Sequence, residues 1–430
     1  MEFPLYVYIA CLLLAALLSS RLMKVLRLPN VTGYIITGII MGPFVFGLLF
    51  NHFSFDGIET SIIATHVSKI SWVSTVALGF IAFSIGTSFK ASTLKTVGKK
   101  VIVITLFESL FASLAVLLIM LLVYFLSGGA VPLALALTLA AIAAATAPAA
   151  TLMVIKQYKA RGELVNTLLP VVALDDASAL ILFAVLFQVA TSLSSSGGFS
   201  VYAMIVKPIL EILISLGIGA VLGFLISFLN RFFKSRNNKL VLCILSIFGS
   251  LGFYVLFKNQ ALGGFELSSL LMCMAAGAIY CNFGKDSGPT FDVLDRFTSP
   301  IYMMFFVLSG ASLNLKMIFS EGGLLILGIT FIYLVSRVIG KYFGAFTGAS
   351  ISRCSKKVRN YLGLALIPQA GVAIGLATTA NNLFAENEAT KEVASMVIAI
   401  ILTSTLIYEL VGPLFSKLAL KKAGEIPTEG

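Results

Sequence analysis

Thirteen runs of about 20 predominantly apolar residues divide this 430-residue chain, and they exclude nearly every fold except a bundle of membrane-spanning helices. A hydrocarbon core of about 30 Å takes about 20 helical residues to cross. Inside it no water satisfies the backbone, so a helix is the natural spanning form for such runs. The expected spans are 4–20, 31–50, 70–89, 101–126, 131–155, 164–193, 202–230, 240–257, 261–281, 297–313, 323–350, 360–381 and 392–416. Composition agrees, with 59% hydrophobic and 11% charged residues against roughly 25% charged in a soluble domain. The partner implied is the lipid bilayer, and the chain reads as an all-α polytopic membrane protein.

The 30 Lys and Arg against 19 Asp and Glu could signal nucleic acid, but their distribution argues otherwise. Alternate loops carry the basic residues, among them Lys90, Lys95, Lys99 and Lys100, then Arg353, Lys356, Lys357 and Arg359, while the intervening loops hold only Lys69, Lys258, Lys316 and Lys391. The positive-inside rule then places the N-terminus outside and the C-terminus in the cytoplasm of a multi-pass cell-membrane protein. No nucleic acid is expected as a partner. The first run, residues 3–20, has positive residues only after it, the reverse of a secretory signal, and is expected to remain as a span. Five scattered cysteines, without CxxC or His partners, encode neither a disulfide framework nor a zinc site.

Thirteen spans divide as six, one and six, and an odd helix between two sets of six gives the sets opposite orientations. That is the arithmetic of two inverted repeats joined by a linker helix. Matching positions support it. The fifth span of the first set contains Thr146-Ala-Pro148, and that of the second contains Pro368-Gln369. Pro removes a backbone hydrogen bond and clashes with the preceding turn, and the groups it frees within a bilayer must be buried in protein or line a cavity. Two such Pro-broken helices point to a substrate site between them.

Charges converge on the same level. Asp175 and Asp176 sit side by side about twelve residues into the sixth span, roughly 18 Å along the helix. Each ionised carboxylate costs about 2.5–3.5 kcal/mol at a helix centre on insertion scales, so neither is expected without a purpose. Glu108 in the fourth span and Arg337 and Lys341 in the eleventh place opposite charges on symmetry-related helices, and Glu108 is expected to pair with one of the two cations. Lys207 and Glu211, four residues apart, read as a helical pair, and Glu409 reads as structural. His52 and His66 fall in an outer loop, away from the constellation, and Trp72 reads as an interfacial anchor.

The stretches LPNVTGYIITGIIMGP (28–43), TAPAATLMVIKQYKARGELVNTLLPVVALDD (146–176), SRVIGKYFGAFTGA (336–349) and LIPQAGVAIGLA (366–377) resemble the monovalent cation:proton antiporter-2 family, the bacterial Na+ or K+/proton exchangers. The resemblance spans essentially the whole chain. It implies the thirteen-helix sodium/proton antiporter fold, an inner-membrane homodimer and a role in pH homeostasis, with a core that moves against a dimerisation scaffold. On that plan residues 1–95 and 236–318 form the scaffold, 96–195 and 319–421 the core, 196–235 the linker helix and 422–430 a cytoplasmic tail. It further implies that Asp176 binds cation and proton, that Asp175 assists, and that Arg337 pairs with an acid of the core. Many relatives carry Lys where this chain has Arg337. Arg cannot release its proton, so a proton-carrying base would have to be Lys341. Potassium-efflux relatives append a Rossmann domain; this chain ends at Gly430, and direct nucleotide control is not expected.

Neighbouring helical residues point about 100° apart. One aspartate can therefore face the crossing of the broken helices while the other turns to a neighbouring helix and its cation. The expected site puts Asp176 at the crossing, with Thr146 and freed carbonyls as hard oxygen ligands suited to Na+ or Li+, K+ being a further candidate, while Asp175 competes for Arg337 or Lys341. A site that holds a metal ion or protons, never both, couples their movements when exposed alternately to each side. Such exchange needs no cofactor and no enzyme chemistry. An intramembrane aspartyl protease would draw its two aspartates from separate converging helices, not from adjacent residues. A Na+-coupled symporter of an organic anion, with similar broken helices, is the main alternative, and a non-transporting scaffold would leave the Asp pair unexplained.

Overall fold

The computed structural model describes residues 4–26, 28–43, 45, 60–128, 131–194, 206–259, 267–312, 323–385 and 390–427. Among these the chain is all-helical, with no strand. Sixteen α-helices are described: α1 (Leu5–Val25), α2 (Asn30–Met41), α3 (Thr60–Lys69), α4 (Trp72–Gly86), α5 (Ala91–Leu126), α6 (Leu133–Ile142), α7 (Pro148–Gln157), α8 (Glu163–Ser194), α9 (Lys207–Leu229), α10 (Arg236–Asn259), α11 (Ser269–Phe283), α12 (Ser287–Ala311), α13 (Gly323–Ile351), α14 (Lys356–Ala365), α15 (Gly371–Ala385) and α16 (Lys391–Lys422). Pro4, Pro29 and Pro132 immediately precede α1, α2 and α6, and Pro148 opens α7; at a helix start the missing N–H costs nothing. Ser268 and Ser355 cap α11 and α14 by accepting from Leu271 N and Val358 N.

Eight helical segments of the described chain are long and apolar enough to cross a membrane, and α2, α6 and α11 are shorter apolar helices. Two of the expected spans are each a pair of half-helices, α6 with α7 and α14 with α15. The expected second span runs to residue 50, and residues 46–50 lie outside the described part, as do His52 and residues 195–200 of the loop after α8. His66 is not in a loop: it lies in α3, buried, with its ring 5.8 Å from that of Tyr8. Trp72 starts α4 and is exposed, Lys207 and Glu211 stand 3.8 Å apart, and the five cysteines are all free.

The chain forms two compact units, residues 1–91 with 214–316, and residues 92–213 with 317–430; among the described helices the boundaries fall at the first residue of α5 and within α9. In the first unit α4 packs on α11 and α2 on α12, at contacts where a Cβ on Gly86, Gly277, Gly38 or Gly310 would run into the facing backbone. In the second, α6 packs on α8, α15 on α16 and α13 on α14. Helix α5 shows how this unit sorts its residues. Ile102, Leu106, Leu110, Leu114, Leu118 and Leu122, spaced four apart, are exposed along one face, whereas Ile104, Glu108, Ala112, Val116 and Met120 are buried on the other. The apolar outer stripe suits lipid, and the inner face carries Glu108 inward.

Candidate functional site

Two breaks in the second unit meet. Helix α6 stops at Ile142 and α7 begins at Pro148, while α14 stops at Ala365 and α15 begins at Gly371. Ala147 N donates to Pro368 O at 2.8 Å, joining one break to the other, and Thr151 Oγ1 donates to Ala365 O at 3.3 Å. A helix end leaves its last carbonyls without intrahelical partners. Here the carbonyls of Ala143, Ala144 and Ala145, past the end of α6, and that of Ile142, which also accepts from Ala145 N at 3.2 Å, are all reached by side chains. Gln369 Nε2 donates to Ile142 O at 3.1 Å, Arg337 Nε to Ala143 O at 2.9 Å, Lys341 Nζ to Ala144 O, and an Arg337 terminal nitrogen to Ala145 O at 2.6 Å. Arg337 also reaches the second break, donating to Ile367 O at 2.7 Å.

The expectation that Arg337 pairs with an acid of the core is therefore corrected. Its guanidinium bonds three carbonyls and lies 4.7 Å from the centre of the Tyr408 ring, and among the described residues it forms no salt bridge. A flat fork of N–H donors fits carbonyls that fan out from broken helices, and the negative ends of two half-helices supply the counter-charge that a carboxylate would have supplied.

Lys341, one turn further along α13, takes the acids instead. Its Nζ stands 2.5 Å from Glu108 Oε2 in an ion pair, and it donates hydrogen bonds to Asp175 Oδ2 at 2.9 Å and to Ala144 O. Of the two cations proposed for Glu108, Lys341 is the partner. Close helix approach makes this possible. Gly340, Gly344 and Gly348 form one stripe of α13 against the backbone of α5, where a Cβ on Gly344 would lie 2.6 Å from Glu108 Cα. That Gly-x-x-x-Gly-x-x-x-Gly spacing, a membrane helix-packing signature, is in the sequence and marks the face of α13 that approaches another helix, without distinguishing Lys341 from Arg337.

The two aspartates of α8 have different surroundings. Asp175 is fully buried, bound to Lys341, and its Oδ1 lies 2.9 Å from Ser109 Oγ. The same hydroxyl lies 3.0 Å from Glu108 Oε1 and 2.7 Å from Ser178 Oγ, and its single proton can serve only one acceptor at a time. Asp176 is buried too, yet its Oδ1 has no hydrogen-bond partner among the described residues. Thr146 Oγ1 is buried without a hydrogen bond of normal geometry and lies beside Asp175. Gln369 is held by Tyr333, whose hydroxyl is 2.9 Å from Gln369 Nε2. Ser109, Ser178, Tyr333 and Tyr408 were not anticipated from the sequence; small hydroxyls and single tyrosines in apolar runs carry no spacing signal.

No group of three or more His, Cys, Asp or Glu suited to a metal ion occurs among the described residues. What the arrangement does provide is a buried set with more carboxylates than ammonium groups, next to backbone freed from two helices. The chain is similar in fold to the sodium proton antiporter MjNhaP1 of Methanocaldococcus jannaschii, with 18% identity, a TM-score of 0.65, and coverage of 97% of this chain and 98% of that one. Among curated proteins none matches it. The family described as sodium/hydrogen exchanger, transmembrane, matches residues 9–417. The chain therefore belongs to the sodium/hydrogen exchangers, cation:proton antiporters of the membrane and not enzymes.

Proposed function

We propose that this protein exchanges a monovalent cation, Na+ foremost with Li+ or K+ as further substrates, for protons by alternating access, and that cation and proton compete for Asp176. The observation that carries this reading is the contrast within one dipeptide. Asp175 is committed to Lys341 and Ser109, while Asp176 keeps a buried oxygen without a partner among the described residues. A buried carboxylate oxygen left unbonded is costly, and a bound proton or a dehydrated cation each relieves that cost. In this reading Asp175, Glu108 and Lys341 hold the charge of the surroundings fixed, and Arg337 with Gln369 keeps the broken helices open. Thr146 adds a hard oxygen ligand through its buried hydroxyl.

The remainder of the proposal follows the sequence. Thirteen spans form two inverted repeats, the unit with the Asp pair moves, the other unit serves as scaffold in a homodimer, and the C-terminus lies in the cytoplasm. The test uses purified protein in vesicles containing a pH-sensitive dye and no organic solute. An imposed gradient of Na+, Li+ or K+ is expected to drive proton movement, with Na+ most effective. Proton movement that requires an added organic anion would favour the symporter, and none under any condition would overturn the proposal.

A further inference from the structure

Glu425 lies three residues past the end of α16 and is buried, although acids are rarely buried without partners. The turn that places it is well defined. Gly424, at φ +71°, donates its amide to Lys421 O at 3.0 Å, and Glu425 N donates to Leu420 O at 3.0 Å. These two bonds make a Schellman motif, which reverses the chain and sends the Glu425 side chain to the start of α8. There Leu164 N donates to Oε1 at 2.6 Å, Val165 N donates to Oε2 at 2.9 Å, and Arg161 N donates to the Glu425 carbonyl at 3.0 Å. The first N–H groups of a helix lack intrahelical partners, and a carboxylate there also meets the positive end of the helix dipole. Glu425 thus does from the far end of the chain what an N-cap residue usually does locally.

The local sequence leaves room for it. Gly162 immediately precedes α8, and a Cβ there would run into the Glu425 carboxyl group; its φ of +157° also disfavours a side chain. Leu164, Val165 and Leu168 of α8 share an apolar cluster with Ala419, Leu420 and Ala423 of α16. The bonded segment, residues 161–165, joins α7, half of a broken helix, to α8, which carries Asp175 and Asp176.

We propose that Glu425 is a positioning residue for ion exchange: its carboxylate clamps the start of α8 to the end of α16, so that α7, α8 and α16 move as one piece when the ion site changes the side it faces. This rests on the exchange function proposed above. Asp175 lies twelve residues along α8 from Glu163, roughly 18 Å, so the clamp does not touch the cation. Its loss leaves cation affinity intact and slows the movement.

The experiment reconstitutes full-length Glu425→Gln, Glu425→Asp and Gly162→Ala. An amide turns an N–H donor towards one of the two backbone donors, and the alanine methyl displaces the carboxylate. Glu425→Gln and Gly162→Ala are expected to lower turnover per folded molecule about tenfold, the factor that corresponds to losing one charge-assisted hydrogen bond. KM for Na+ should stay unchanged, amide hydrogen exchange at residues 161–165 should accelerate, and Glu425→Asp, which keeps the charge, should fall between these variants and wild type. Accelerated hydrogen exchange with unchanged turnover would make Glu425 a structural cap only and overturn the inference, as would a raised KM at unchanged turnover. A wild-type protein that exchanges no cation would overturn the proposed function and the clamp together, whereas normal wild-type exchange with both variants equally active would overturn the clamp alone.

Discussion

In the unit of residues 1–91 and 214–316, α4 meets α11 at Gly86 and Gly277, each of which faces backbone of the other helix. In the unit of residues 92–213 and 317–430, a glycine stripe of the same kind brings α13 onto α5, and there the close approach delivers Lys341 to Glu108 and Asp175. The first unit keeps its ion pair at the margin, Lys239 with a largely exposed Asp286 at 2.9 Å; the hydrogen bond and charge of Lys239 hold that carboxyl below its ordinary range. The second buries Glu108, Asp175, Arg337 and Lys341 completely. One packing device therefore serves two ends. Between α4 and α11 it packs two helices, and between α13 and α5 it also brings buried charges together.

Removing Lys341 should break that contrast most severely. Lys341→Gln leaves Glu108 and Asp175 facing each other in a buried place, and stranding a buried charge costs about 3–5 kcal/mol. A large fall in melting temperature in mild detergent is expected, partly recovered by adding Glu108→Gln. Glu108→Gln alone should cost less, because Lys341 keeps Asp175. No recovery in the double variant would mean that the three groups do not act as a set.

Arg337→Lys comes next. An ammonium keeps the charge but cannot span carbonyls of both breaks, and each charge-assisted hydrogen bond lost is worth about 1.5–3 kcal/mol. Lower melting and slower exchange are expected together, and normal values for both would show that the carbonyl contacts are dispensable. A matched pair then sharpens the comparison. Gly86→Ala and Gly344→Ala each force a methyl into facing backbone, at about 1–3 kcal/mol. Both should lower melting, while only Gly344→Ala should alter exchange per folded molecule. The smallest effect belongs to Lys239→Gln, whose partner is largely exposed; no measurable change in melting or exchange is expected, and a clear drop in either would show that the marginal pair matters.

The sequence made the site more legible than its wiring. Asp175, Asp176, Glu108, Arg337 and Lys341 stand out because a charge in an apolar run is conspicuous wherever it falls. Proline is less informative alone. Pro148 and Pro368 coincide with breaks, whereas Pro170, Pro300 and Pro413 lie within continuous helices. What separates them is tertiary: the carbonyls exposed beside the first pair are taken up by Arg337, Lys341 and Gln369, partners almost two hundred residues or more away for α6. The destination of Arg337 is hidden for the same reason, since the resemblance implies an acid partner and backbone carbonyls leave no mark in a sequence. Glu425 was equally hidden, an ordinary acid in a polar tail until the turn at Gly424 aims it at α8.

The central claim is that two adjacent aspartates divide the work, Asp175 fixed by Lys341 and Asp176 free to exchange its proton for a cation. Na+-driven proton movement in vesicles carrying Asp176→Asn tests it most directly, because an amide of nearly the same shape can neither hold the proton nor balance the ion. The account predicts no exchange at any pH from a variant that remains well folded and melts no lower than wild type. Wild-type exchange by Asp176→Asn across the pH range would contradict it.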